Sequence, residues 1–233
     1  MLDLLNGKSR RKVMSTFDIA LDFAGQSGSQ VIGNTGTGSA TFTAQGAAAI
    51  TNQAKVFGDT CLLLNGGATN FLRSLDAIPG GIVGREFYIG FYAKARGNNT
   101  DPYRGFFHLG SSPTSAQGIL LINDGLYIAN PGGTNWLVTG QTAPSTAVFD
   151  HFAIAKRMTG NNDLYRLFRN GKVIGTQTLG ARQSVPGDGS AQLDIGINRA
   201  AGQTVNTFMA NFRMKIGDHV HWEEFNPLDD YAQ

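Results

Sequence analysis

The sequence predicts an all-β protein built as a two-sheet antiparallel sandwich of the jelly-roll type. Three observations lead to this prediction. Glycine accounts for 31 of the 233 residues, which is roughly twice its average share. Only 15% of the residues are charged. Short apolar or alternating runs recur from residue 17 onward between clusters of Gly, Asn, Asp and Pro, as strands separated by turns do.

The individual strands are predicted from their alternation. "STFDIALDFAG" alternates, whereas "TCLLLNG" is a continuous apolar run that indicates a strand covered on both faces. In "EFYIGFYAKA", Phe87, Ile89 and Phe91 share one face while Tyr88 and Tyr92 share the other. Further predicted strands are "GSATFTAQGAAAI", "GFFHLG", "TNWLVTG", "FDHFAIAKRM", "AQLDIGIN" and "NTFMANFRMKIG". Together these runs predict about ten to fourteen strands.

Two hairpins and a terminal tail complete the predicted domain. In "LYRLFRNGKVIG", Asn170 and Gly171 supply the two positive-φ positions of a type I′ turn. Asp124 and Gly125 lie between two apolar runs and predict a second hairpin. "HWEEFNPLDDYAQ" is predicted to lie over the surface. Because the sequence shows no domain linker and no internal repeat at a fixed period, residues 17–233, which include this tail, are expected to form one domain.

The charge is concentrated in residues 1–16, which form a basic N-terminal arm. The net charge of the chain is +2, but the arm alone carries +3, which leaves 15 basic and 16 acidic residues in the remainder. The domain therefore offers no broad field for nucleic acid. The arm is either a solvated terminus or a docking peptide. Its candidate docking residues are Leu2, Leu4, Leu5, Lys8, Arg10, Arg11 and Lys12.

Export and membrane signals are not found in the sequence. Residues 1–16 lack the apolar run of a secretory signal, and no stretch approaches the roughly 18 consecutive apolar residues of a spanning helix. The single cysteine, Cys61, excludes an internal disulfide. Because it stands in the apolar run "DTCLLLNG", a buried, inert thiol is expected rather than a nucleophile. We expect a protein made in a reducing compartment, without a membrane partner and without ordinary export.

The order of the strand motifs carries a family resemblance. The succession "VFGDTCLLLNGG", "EFYIGFYAKA", "FDHFAIAKRMTGNNDLYRLFRNGKVIG" and "LDIGINRAAGQTVNTFMANFRMKIG" resembles the laminin-G-like, or concanavalin-A-like lectin/glucanase, domain. The resemblance covers roughly residues 17–228. The chain departs from the family pattern at Tyr92 and Phe149, where the family usually has Trp, and at Ala210, where an acidic residue is missing.

Catalysis is not expected. Glucanases of this superfamily resemble one another in a strand with two Glu and one Asp at alternate positions, which places the carboxylates on one face. This sequence has no such run. Its acidic cluster, Glu223 and Glu224 with Asp229 and Asp230, lies in the tail and is predicted to be solvated. Nucleophile elbows and phosphate-binding loops are also lacking.

Metal and cofactor sites have little support in the sequence. His219 and His221 alternate in "DHVHWEE", yet a third ligand at a recognisable spacing is lacking. Asn161, Asn162 and Asp163 offer oxygen ligands of the kind calcium uses, but polar turn residues explain them as well. We therefore expect no cofactor and no metal site.

Once catalysis and metal binding are set aside, the residues still allow glycan binding. Carbohydrate recognition uses a flat aromatic platform with amide or carboxylate side chains at its rim. "LYIANPGGTNWLVTGQ" brings such residues together in Tyr127, Asn130, Asn135 and Trp136. The loop "RGNNTDPYRG", with Tyr103, is a second polar loop that could contact a ligand or a neighbouring subunit, and an ordinary solvated loop explains it as well. Trp136 is open to a second interpretation, as a core residue, because large aromatic side chains are highly buried on average.

Among proteins with such a domain, a chain with a basic arm and neither signal nor disulfide is most similar to tailed-phage virion proteins. The leading hypothesis is a non-catalytic capsid decoration protein or tail or baseplate adhesin, located in the virion and assembled in the host bacterial cytoplasm. Its arm would dock onto other virion proteins in a homo-oligomeric or multi-copy assembly, and its jelly roll would contact host glycans. A free carbohydrate-binding lectin is the alternative, and a glycoside hydrolase or lyase is the weakest.

Overall fold

The protein is a sandwich of two antiparallel sheets. The computed structural model describes residues 17–75, 84–97, 103–110, 118–123, 125–130, 133–139, 142–180, 192–199 and 201–231, with the side chains of residues 118 and 127–139 left undescribed. The strands are β1 (Ile19–Leu21), β2 (Val31–Ile32), β3 (Phe42–Ala44), β4 (Ala49–Val56), β5 (Asp59–Asn65), β6 (Leu72–Ser74), β7 (Phe87–Ala95), β8 (Gly105–Gly110), β9 (Gly118–Ile122), β10 (Gly125–Asn130), β11 (Gly133–Thr139), β12 (Asp150–Thr159), β13 (Asn162–Arg169), β14 (Lys172–Leu179), β15 (Gln192–Ile195), β16 (Ile197–Asn198), β17 (Gln203–Thr204) and β18 (Asn206–Ile216). A single 3₁₀ turn, Pro227–Asp230, follows them within these ranges.

The strand order confirms the predicted sandwich. One sheet has eight strands in the order β14-β13-β12-β7-β18-β5-β4, with β1 pairing β18 beside β5. The other has ten, in the order β11-β10-β9-β8-β15-β6-β3-β2, with β16 and β17 attached beside β8. The sequence predicted ten to fourteen strands, whereas the described ranges contain eighteen. The surplus consists of strands of two or three residues, which are too short to show a periodicity.

The core lies between the two sheets and follows the predicted alternation. Phe87, Ile89 and Phe91 point into it, while Tyr88 and Tyr92 lie on the outer face of the eight-stranded sheet. Phe91 is the centre of an aromatic cluster, with ring centroids 5.8–6.3 Å from those of its neighbours. Each fully buried side chain of this kind stabilises the fold by about 2 kcal/mol. The packed rings are Phe106, Phe107, Phe152 and Phe212.

Both predicted hairpins form. Asn170 and Gly171 have φ values of 51° and 75°, and Arg169 pairs with Lys172 around them, which confirms the two-residue type I′ turn. In the other hairpin β9 ends at Ile122 and β10 already begins at Gly125. The second turn therefore comes one residue earlier than the sequence suggested.

Candidate functional site

The C-terminal tail, residues 217–231, covers the outer face of the eight-stranded sheet. Trp222 and Phe225 pack against the cluster that contains Tyr88 and Phe168, and Tyr231 packs farther along the same face. This confirms the prediction that the tail lies over the surface. A sheet face that would otherwise expose aromatic rings is thereby closed.

The tail rests on the Asn170–Gly171 turn. The amide nitrogen of Phe225 donates a hydrogen bond to the carbonyl oxygen of Gly171 (3.1 Å). A Cβ atom at position 171 would collide with the carbonyl oxygen of Phe225. Glycine is therefore required there twice, for the positive φ and for the close approach of the tail.

A buried carboxylate anchors the end of the tail, which corrects the prediction that its acidic cluster is solvated. Asp230 is only 4% exposed. It accepts a hydrogen bond from the hydroxyl of Tyr88, lies 2.6 Å from Nε2 of His221 and lies 3.6 Å from Nε2 of His151. The 3₁₀ turn that Pro227 begins carries this residue inward. The sequence could not show this, because the partners come from three separate segments.

The remaining members of the acidic cluster behave as surface residues. Glu223 pairs with Arg166 (3.0 Å) and Glu224 pairs with Lys172 (2.7 Å), both with exposed carboxylates. Exposed pairs of this kind contribute at most about 1 kcal/mol. The tail is therefore held mainly by its apolar contacts and by Asp230.

Three polar side chains around Asp230, those of His151, Tyr88 and Tyr231, are uncharged at neutral pH. Burial lowers the pKa of His151 to about 4, so its imidazole is uncharged. Burial and, secondarily, the charge of Asp230 raise the pKa of Tyr88 and of Tyr231 well above the ordinary value. Both phenols thus stay protonated and donate hydrogen bonds. This cluster is suited to holding the tail in place.

Beside the tail, a cleft of about 430 Å³ opens on the outer side of the eight-stranded sheet. We call it the Phe57 cleft. It is formed where the end of β1, the turn between β4 and β5, the middle of β18 and the tail meet. Its lining residues are Asp22, Phe57, Asp59, Asn211, Arg213, Leu228 and Tyr231.

Phe57 gives the cleft an accessible aromatic ring. Its side chain is 54% exposed, and its ring centroid lies 5.4 Å from that of Tyr92 and 5.8 Å from that of Tyr231. Phe57 and Gly58 have φ values of 54° and 91°, the positive pair of a two-residue hairpin turn. Asn, Asp or Gly is usual at the first of these positions, as at Asn170, so phenylalanine carries a conformational cost. The contacts of its ring with the two tyrosines offset that cost.

Arg213 and Asp22 form the charged base of the cleft. Arg213 is 5% exposed and forms an ion pair with Asp22, while its guanidinium carbon lies 5.1 Å from the ring centroid of Tyr231. The second carboxylate oxygen of Asp22 accepts a hydrogen bond from the Thr35 hydroxyl (3.0 Å). The positive charge is thus buried and already paired. Within the described chain, Nε of Arg213 has no hydrogen-bond partner.

Two polar side chains of the cleft are available to a ligand. Asn211 is 5% exposed and has φ of 51° at a bulge in β18. Its carbonyl accepts a hydrogen bond from the Tyr231 hydroxyl (2.9 Å), but its side-chain amide has no protein partner among the residues described. Asp59 is exposed at the start of β5, and across the same ranges its carboxylate has no ion-pair partner. The cleft therefore combines an exposed aromatic ring with an amide and a carboxylate whose side chains have no hydrogen-bond or ion-pair partner among the residues that the structure describes.

The predicted glycan residues lie elsewhere. In the ten-stranded sheet, β10 pairs with β11 so that Tyr127 stands opposite Trp136 and Ile128 stands opposite Asn135. The register thus pairs the backbone of Tyr127 with that of Trp136. Their side chains lie outside the described part of the protein, as do those of Asn130 and Asn135, and this site stays a prediction. The docking residues predicted in the arm also lie outside the described residues.

Tyr103 is 54% exposed just before β8. Its carbonyl oxygen accepts a hydrogen bond from the side chain of Asn198 (2.9 Å). β9 separates β8 from β10 in the sheet, so Tyr103 does not belong to the strand pair that carries Tyr127. It does not line the Phe57 cleft either.

The histidines and the candidate calcium loop have protein partners instead. His219 binds Glu86 (2.8 Å), and His221 binds Asp230. Asp163 forms a buried ion pair with Lys156 (2.9 Å), so the suggested calcium ligand is turned into the sandwich. Across the described ranges, no group of three His, Cys, Asp or Glu residues could hold a metal ion.

Cys61 is buried, and burial raises the pKa of its thiol to about 11. The thiol is therefore protonated at neutral pH, which confirms the predicted buried, inert thiol. In the same described part of the chain, no helix has the length and apolar character needed to cross a membrane.

Solved structures share the fold. No family model and no curated protein sequence matches the chain. Domain 4 of AbnA, a GH43 extracellular arabinanase from Geobacillus stearothermophilus, solved in complex with arabinotriose, matches with a TM-score of 0.59 and 15% identity over 88% of this chain and 94% of that domain. The binding domain of botulinum neurotoxin serotype D matches with a TM-score of 0.64 and 11% identity over 93% of this chain.

The binding domain of botulinum neurotoxin DC, solved in complex with SialylT, matches with a TM-score of 0.58 and 14% identity over 92% of this chain. This chain spans about half the length of the two neurotoxin domains, 52% and 50% respectively. At these identities the likeness establishes the sandwich fold. The two neurotoxin neighbours are binding domains.

Proposed function

We propose that this chain is a non-catalytic, glycan-binding β-sandwich. The observation that carries the proposal is the Phe57 cleft, where an exposed aromatic ring lies beside a carboxylate and an amide that have no protein partner in the described part of the chain. Saccharides present apolar C–H faces together with hydroxyl groups that donate and accept hydrogen bonds. A concave site with one aromatic surface and a few polar groups is suited to that combination.

The fold neighbours support the same class of ligand. AbnA domain 4 was solved with arabinotriose and a neurotoxin binding domain with SialylT, so proteins that contain this sandwich form complexes with saccharides. We propose a non-catalytic role because cleavage needs carboxylates disposed as in the superfamily's alternating strand, and this sequence lacks that run.

We further propose that the glycan-binding sandwich is displayed on a tailed-phage particle, as a capsid decoration or an adhesin. The support is the basic arm of residues 1–16 with its apolar anchors and the resemblance described above. Virion proteins would be its partners, and copies of the chain would assemble on the particle. The free lectin is the alternative and shares the same binding chemistry.

A glycan array with the full chain tests the binding function. Binding to a defined group of saccharides, with no release of reducing sugar from them, is the expected result. Failure to bind any saccharide would refute the proposal, and turnover would refute the non-catalytic part. Deletion of residues 1–16 tests the virion role separately, because the truncated chain should fold and no longer join the particle. Full incorporation of the truncated chain would overturn the docking role of the arm.

A further inference from the structure

We infer that the Phe57 cleft is the saccharide site and that it selects uncharged saccharides over acidic ones. This inference rests on the proposed glycan binding and adds its location and the class of ligand. Three features of the cleft carry it: the sign of the charge that a ligand can reach, the acceptors that are free, and the position of the exposed ring.

The reachable charge in the cleft is negative. Asp59 is exposed and unpaired within the described chain, and the Asp22 side chain keeps 33% of its surface exposed. Among the described residues that line the cleft the cation is Arg213, which is buried and bound to Asp22. A sialylated, uronic or sulfated saccharide would bring its anion toward two carboxylates without gaining an unpaired cation. Like charges at this range are repulsive.

The same carboxylates favour neutral ligands. A carboxylate accepts hydrogen bonds from hydroxyl donors, and such charge-assisted bonds are about twice as strong as neutral ones. No described residue occupies the acceptor positions of Asp59, and the amide of Asn211, a residue that is 5% exposed, can both donate and accept. A sugar with vicinal hydroxyls can satisfy both side chains at once. Because Asn211 has no protein partner among the described residues, a ligand in the cleft would supply the hydrogen bonds that its amide lacks.

The ring of Phe57 supplies the apolar contact. It is placed at the rim by the turn between β4 and β5, next to Asp59, and the exposed side chain of Leu228 also lines the cleft (49% exposed). The sugar would thus meet the ring and the Asp59 carboxylate at the same turn. Binding should show little dependence on salt, because a neutral ligand has no charge for salt to screen.

The turn at Asn170 shows which substitution at position 57 would remove the ring without disturbing the backbone. Asn170 adopts the same turn geometry as Phe57, with φ of 51° against 54°, so Phe57→Asn keeps the backbone and deletes the platform. Asp59→Asn keeps the size of the side chain and deletes its charge. Val31→Asn and Glu223→Gln are the matched controls, because both residues are exposed and lie outside the cleft.

The experiment combines an array of neutral and acidic glycans with titration calorimetry on the saccharide that binds best. We expect neutral saccharides to bind, Phe57→Asn to weaken binding by at least about tenfold, and Asp59→Asn to weaken it by about tenfold. The two control variants should stay within about twofold. Circular dichroism verifies that each variant is folded.

Each other outcome decides against the inference. A preference for acidic glycans would refute the ligand class and leave glycan binding intact. Normal affinity in Phe57→Asn together with loss of binding in Trp136→Ala would move the site to β10 and β11. An array without any bound saccharide would overturn the proposed function and this inference with it.

Discussion

Asp230 holds the tail onto the sheet, and its replacement by alanine should unfold the protein more readily. The substitution removes the acceptor of the buried Tyr88 hydroxyl and the partner of His221. A buried donor left without a partner costs about 1–3 kcal/mol, and a lost hydrogen bond to a charged group adds a comparable amount. We expect the free energy of unfolding to fall by about 4 kcal/mol. For a domain of this size this lowers Tm by about 12 °C.

Urea denaturation and thermal unfolding at pH 7 measure the effect. Asp229→Asn is the matched control, since Asp229 is the adjacent carboxylate and is exposed, and it should change stability by less than about 0.5 kcal/mol. Asp230→Asn should fall between the two, because its amide oxygen can still accept from Tyr88. If Asp230→Ala lost less than 1 kcal/mol, the tail would not depend on the buried carboxylate.

Three further predictions concern stability. The pKa of His151 is about 4 in the folded protein and about 6.5 in the unfolded chain, so the unfolded chain binds more protons. Lowering the pH from 7 to 5 should therefore reduce the free energy of unfolding by about 2 kcal/mol. Thermal melts of His151→Phe should not show this loss. Lys156→Met leaves Asp163 buried and unpaired and should lower the free energy of unfolding, measured by urea titration, by about 3–5 kcal/mol. The double variant Lys156→Met, Asp163→Leu should regain most of that stability. Equal stability of the single and double variants would contradict this reasoning. Phe57→Asn should change the free energy of unfolding by no more than about 1 kcal/mol, because the lower conformational cost of positive φ at asparagine balances the lost ring contacts. A large loss of stability would show that Phe57 belongs to the core.

Sequence patterns were sufficient to predict the fold class, the turn at Asn170 and Gly171, and the inert thiol of Cys61. These follow from local rules. Alternation within a strand decides which side chains share a face, and positive φ at two consecutive positions selects Asn-Gly. An apolar run surrounding a cysteine predicts that it is buried. Each rule involves residues that are close in the chain, and so it could be applied without knowing which strands are neighbours.

The position of the cleft and the burial of Asp230, in contrast, depend on how distant segments of the chain pack together. The Phe57 cleft brings together residues 22, 57, 211 and 228, which are far apart in the chain and lack a shared motif. The pairing of β18 with β1 and β5 and the path of the tail make them neighbours. From the sequence, Asp230 is predicted to belong to a solvated acidic segment, whereas in the structure the tail packs it against Tyr88 and His221. Long-range pairing decides burial and charge environment, and no local pattern encodes it.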